Sequence, residues 1–195
     1  MNKFIFILIL AIASTNSFSQ YTSPEDQLLS KKEQRRLARE YRLAEKHAEE
    51  EKTREIITDL VNSHRFILEA DFIAGRSGSR HPVNSTLNFI LVDSSEAVLQ
   101  LGSPYGMGFN GVGGITIDGT VTKYELVEKK NRNSVSYSIT LYIMSSLGTY
   151  DIQIWVSQSG YADATVRGNY SGSVVYSGKL VPLKQSRIYK GMSSS

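Results

Sequence analysis

The 195-residue chain has no cysteine, a formal net charge of +3 and a hydrophobic fraction of 41%. These figures exclude a disulfide-stapled scaffold and a phosphate-tracking nucleic-acid binder, which needs dense clusters of Lys and Arg. Stability must come from a core, and a domain of this size buries roughly two-thirds of its unfolded surface.

At the start of the chain, Lys3 precedes an apolar run from Phe4 to Ala13, and small residues follow at Ser17 and Ser19. This pattern predicts a secretory signal peptide over residues 1–19, cleaved before Gln20, and a mature protein in the periplasm or outside the cell. The run is shorter than the roughly 20 residues of a stable membrane anchor. No cysteine follows it to carry a lipid.

Residues 20–63 read as a long charged helix. Ser23 is placed as an N-cap before Pro24 at the first helical position, with Glu25 and Asp26 in the first turn. Leu37, Tyr41, Ala44 and Ala48 form a thin apolar stripe, and Ile56, Ile57, Leu60 and Val61 a stronger one. Between them, Glu49 to Glu55 is almost wholly charged. Only the last two or three turns are therefore expected to pack on a domain. The basic run from Lys31 to Arg42 has little apolar face beside it, so it reads as a solvated helix and not as a membrane anchor.

From Arg65 the apolar period switches to two. Val135, Tyr137, Ile139, Leu141 and Ile143 alternate with polar residues, and Tyr150, Ile152, Ile154 and Val156 repeat the pattern. A turn at Ser145 to Gly148 sets Ile143 opposite Tyr150, Leu141 opposite Ile152 and Ile139 opposite Ile154. Further strands are predicted at Phe66–Ile73, Leu87–Val92, Ala97–Leu101, Gly114–Ile117, Thr120–Glu128, Tyr161–Arg167 and Ser173–Val181. The gaps leave no room for crossover helices. A mainly β, antiparallel domain of about eight strands follows over residues 64–184, as a small barrel or a sandwich, with a tail at 185–195.

The order of short segments also carries a resemblance. After the charged helix come Phe66-Ile67-Leu68-Glu69-Ala70-Asp71, Asn88-Phe89, Gly113-Gly114-Ile115-Thr116-Ile117-Asp118-Gly119 and Tyr176-Ser177-Gly178-Lys179-Leu180. Over about residues 40–195 the chain resembles domain-of-unknown-function family 4251, a set of exported bacterial proteins. The resemblance implies a lipocalin-like barrel behind an N-terminal helix. It brings no activity and no functional residue.

Candidate chemistry is sparse. Gly106 to Gly111 spells G-x-G-x-x-G, but the strand Ile115-Thr116-Ile117 follows where a dinucleotide site needs a helix, so no cofactor is expected. The same loop suits a lid over a barrel mouth, with Tyr105 and Phe109 as ligand contacts. His47, His64 and His81 lack ligand spacing, so no metal site is assigned. No catalytic residue is assigned either. Glu69 and Asp71 share one face of their strand, opposite Phe66, Leu68, Ala70 and Phe72, and read as a solvated outer face. Tyr142 and Trp155 stand on the face opposite Ile139, Leu141 and Ile154. The favoured account is that the apolar helix end, Ile56 and Leu60, docks over them; the other is a ligand or partner surface.

The leading expectation is an exported, non-enzymatic β domain that binds a small apolar or amphipathic ligand, with Tyr105, Phe109, Tyr142 and Trp155 as candidate contacts. The alternative is an envelope structural or interaction protein whose N-terminal helix engages a protein partner. Neither reading involves nucleic acid or a transmembrane anchor after signal cleavage.

Overall fold

A computed structural model describes residues 30–75, 78–102, 110–132, 134–168 and 172–193. The chain divides into two units, Met1–Arg42 and Leu43–Ser195, and a helix α1 (Lys31–Ser63) begins in the first and ends in the second. The expected cap at Ser23 lies outside the described residues. In the first unit Ser30 caps α1 instead. The Glu33 backbone N–H donates to Ser30 Oγ at 3.3 Å, and the Ser30 N–H donates to Glu33 Oε2 at 3.1 Å, a reciprocal capping box. Leu37 and Tyr41 are exposed.

Among its described residues the second unit has nine strands: β1 (Arg65–Ala74), β2 (Arg80–Pro82), β3 (Phe89–Asp93), β4 (Glu96–Leu101), β5 (Ile115–Asn131), β6 (Ser134–Ser145), β7 (Gly148–Ser157), β8 (Tyr161–Arg167) and β9 (Ser173–Val181). Neighbours pair in the order β1-β3-β4-β5-β6-β7-β8-β9, and β9 returns to β1. Every pairing is antiparallel, so eight strands close a barrel and β2 adds to the far end of β1. Closure removes the free edges that an open sheet of this length would present.

The β6–β7 register is the one the alternation predicts: Ile139↔Ile154, Leu141↔Ile152 and Ile143↔Tyr150. Ile139, Leu141, Ile152 and Ile154 have no solvent exposure. Each such side chain contributes about 1.5–3 kcal/mol by leaving water. A one-residue slip would turn all of them outward.

Two expected strands, Gly114–Ile117 and Thr120–Glu128, are one continuous β5. Asp118-Gly119 resembles a turn in sequence, but Gly119 here answers a packing demand. A Cβ at that position would lie 2.4 Å from Ile143 Cγ2. In β1 the register shifts between Ala70 and Phe72, a β-bulge. The bulge overturns part of the expected inward face: Phe66, Leu68 and Ala70 are buried, but Phe72 points outward and is exposed. Ile73 takes the inward place opposite Tyr176.

The last two turns of α1 bury Ile57, Leu60 and Val61 in the same cluster as Tyr137, Val156 and Leu180. Thr58 Oγ1 lies 2.7 Å from the Tyr137 hydroxyl, and the Tyr124 hydroxyl donates to the Val61 carbonyl at 2.6 Å. His64 ends the helix in a left-handed conformation (φ 56°) and stacks on Tyr124 at 3.6 Å between ring centroids. These contacts gather at the end of the barrel where β1 and β6 begin and β7 and β9 finish.

A 3₁₀ turn (Leu183–Gln185) leads into a C-terminal strap along the outside of the barrel. Leu183 and Ile188 pack with Ile67, Phe89 and Val98, the outward residues of β1, β3 and β4, in a second small core. Beneath the strap, buried Gln100 donates to the carbonyls of Leu87 (3.1 Å) and Tyr189 (2.8 Å). Its Oε1 accepts from Gly191 N–H (2.8 Å) and from the Thr116 hydroxyl (2.9 Å). Ser186 donates to Glu69, so that carboxylate is a fastening point and not simply a solvated group.

Asp118 holds the end of the strap through Lys190 Nζ at 2.7 Å and the Ser193 hydroxyl. Partial burial pushes its pKa up, but the hydrogen bonds from Lys190 and Ser193 and the lysine charge outweigh that, and the net shift is downward from 3.8. A depressed carboxylate pKa stabilises the fold above the unfolded value, and the effect disappears as pH falls through the folded value. Asp118→Asn is therefore expected to melt below the parent at pH 7 and to converge with it once the pH falls below the ordinary carboxylate range. Equal melting temperatures at pH 7 would show that this fastening contributes nothing.

A candidate binding cavity at the open end of the barrel

With α1 closing one end, the inward residues at the other end have no cover among the described elements. Leu99 and Leu101 at the end of β4, Ile117 near the start of β5, Val166 in β8, and Val174 and Tyr176 in β9 surround a cavity of about 600 Å3. Tyr150, at the start of β7, and Leu147, in the turn before it, complete the wall. Each inward position follows from strand alternation, and opposite strand ends converge there with no plug among the described residues.

No Asp, Glu, His, Lys or Arg is among the described residues lining it. The Tyr176 hydroxyl donates to the Gln100 backbone carbonyl at 3.3 Å, and burial pushes its pKa well above the usual phenol value. It therefore stays protonated at neutral pH with its proton already engaged. The volume lies within the roughly 300–1,000 Å3 of small-molecule sites. Such a wall suits hydrocarbon, with any polar group of the ligand left at the mouth.

Of the four residues expected to contact a ligand, Tyr105 and Phe109 lie outside the described residues. Tyr142 and Trp155 are described, 39% and 50% exposed, on the outer wall of the barrel and away from this cavity. The helix does not dock over them, which corrects the favoured account of their position. Ile57, Leu60 and Val61 reach interior residues instead, and a Cβ on Gly160 would lie only 2.9 Å from Ile57 Cδ1. Lys129 sits 4.7 Å over the Trp155 ring and Lys123 5.3 Å over Tyr142, so lysines shade the rings the helix leaves bare.

Sequence reasoning missed Val166, Val174, Leu101 and Ile117 as a group. The available signal was inward alternation running to the strand ends at Gly168, Gly172 and Gly102.

The architecture defines a class: a small closed antiparallel β-barrel with a helix packed at one end and, among the described residues, an apolar cavity at the other. The chain belongs to the family described as Domain of unknown function (DUF4251), whose model matches residues 47–180. It is similar to the crystal structure of a DUF4251 family protein from Bacteroides eggerthii DSM 20697, with 28% sequence identity and a TM-score of 0.58. That similarity covers 69% of this chain and 90% of the other. No curated protein matches the chain.

Proposed function

We propose that the protein is an exported, non-enzymatic carrier that holds a small apolar or amphipathic molecule in the open end of its barrel. The observation that carries this reading is the cavity of about 600 Å3 with its aliphatic and tyrosyl wall. Export rests on the signal-like residues 1–19, which would place the carrier in the periplasm or beyond it.

The test is a titration of the protein with lauric acid, read by displacement of an anilinonaphthalene sulfonate dye. One saturable site per chain is expected, and Val174→Phe, which fills the mouth, should weaken it roughly ten-fold, about 1.4 kcal/mol. Failure to bind either probe, or binding indifferent to Val174→Phe, would reject the carrier. The envelope-interaction reading would then lead, supported by the exposure of Leu37 (45%) and Tyr41 (72%) on the N-terminal helix.

A further inference from the structure

The outer wall carries a second concavity, separate from the end cavity. Register places Phe72 beside Ser177, Ser177 beside Asp163, and Asp163 beside Trp155, in one row across β1, β9, β8 and β7. Three strand spacings separate the two aromatic residues, about 14 Å. Between them runs a groove of about 420 Å3, to which Asp71, Arg80 and Tyr161 also contribute.

Its construction has three parts. The walls are aromatic: Phe72 is turned outward by the β1 bulge, and Trp155 and Tyr161 are 50% and 57% exposed. The floor is low, because Ser177 and Gly178 are small. Gly178 can be nothing larger, since a Cβ there would lie 1.9 Å from the Glu69 carbonyl oxygen opposite the bulge. The polar groups are of both signs. Ser177 donates to Asp163 Oδ1, Asp71 is exposed at the bulge, and Arg80 lies 5.2 Å over the Phe72 ring.

We propose that this groove binds a neutral oligosaccharide, laid across the strands from Trp155 and Tyr161 toward Phe72. Sugar rings present apolar C–H faces that stack on aromatic rings, and the electron-rich ring face attracts those positively polarised hydrogens. Their hydroxyls need both acceptors and donors at the rim. Asp71 and the second oxygen of Asp163 accept, Arg80 donates, and Ser177, whose proton is held by Asp163 Oδ1, offers a further acceptor. Two carboxylates and one guanidinium line the groove, and Lys129 and Lys179 stand 4.7 Å and 5.0 Å over the Trp155 and Tyr161 rings. Charges of both signs are therefore present, and neither a polyanion nor a polycation is matched along its length. A plain hydrocarbon would leave those charged groups desolvated and unpaired. A polyhydroxylated, uncharged chain answers all three features.

Trp155 is the only tryptophan of the chain, so its emission reports the groove directly. The full chain is titrated with cellotetraose, maltotetraose, mannotetraose and chitotetraose to about 10 mM, well past the millimolar range of weak sites. A saturable shift in Trp155 emission with at least one of them is expected. Tyr161→Ala and Asp163→Asn should each weaken that binding roughly ten-fold by calorimetry. Both positions are exposed, and unchanged melting curves would confirm that the variants are folded. Val174→Phe, which fills the end cavity, should leave saccharide binding unchanged. No saturable response to any of the four sugars would overturn the proposal. So would binding that survives both groove substitutions, or a preference for polygalacturonate or dextran sulfate over the neutral chains.

Discussion

Val61→Asp is expected to lower stability by about 4–5 kcal/mol, because it puts an unpaired carboxylate where α1 meets the barrel interior. Val61 has no solvent exposure and shares its cluster with Ile57, Leu60 and the inward residues of the barrel. Nearby hydrogen bonding offers no relief, since the Tyr124 hydroxyl is engaged by the Val61 carbonyl. Against a typical total of about 5–15 kcal/mol, the loss brings the fold close to its limit. For a chain of this size it corresponds to a fall in melting temperature of roughly 10–15 °C. Asn62→Asp adds the same charge one residue further on, at an exposed position, and should change little. Equal melting of the two variants would mean that the helix end is not part of the cooperative core.

Gln100→Leu should cost about 3 kcal/mol or more although it conserves size and adds apolar surface. The amide of Gln100 serves four partners: the carbonyls of Leu87 and Tyr189, the Thr116 hydroxyl and the Gly191 N–H. Leucine would leave buried polar groups without partners, at about 1–3 kcal/mol for each that water cannot reach. The strap would then loosen toward solvent, which limits the loss and makes it visible locally. Amide hydrogen exchange should accelerate at Tyr189 and Gly191 more than in β6 and β7. A leucine variant as stable as the parent, with the strap still protected, would show that the apolar contacts of Leu183 and Ile188 hold it unaided.

The two substitutions sit at opposite degrees of legibility. Val61 belongs to an apolar stripe visible at helical spacing, and burial of the final turns of α1 follows from it. Gln100 lies on the nominally polar face of a strand, where alternation alone predicts solvent. Its burial depends on a segment almost ninety residues later in the chain folding back over it. Nothing local to β4 announces that.

The same division runs through both candidate sites. Leu99, Ile117 and Tyr176 point inward in their strands, but whether those positions meet filled core or empty space depends on what reaches the barrel end. Trp155 and Tyr142 were legible as aromatics on an outward face. Their neighbours across β8, β9 and β1 were not, because those pairings join residues far apart in sequence. The Phe72 position shows the reason most clearly: a bulge changes side-chain direction without changing composition, so alternation read along β1 assigns it to the wrong face.

By itself, then, the chain determined a charged helix, an antiparallel β domain and the register of the β6–β7 hairpin, because periodicity and turn length are local properties. Closure into a barrel, the end that α1 seals, the fastening of the strap and the position of Phe72 were decided only by tertiary structure. Each depends on pairing between distant segments, whose free energy is gained only when the two surfaces meet.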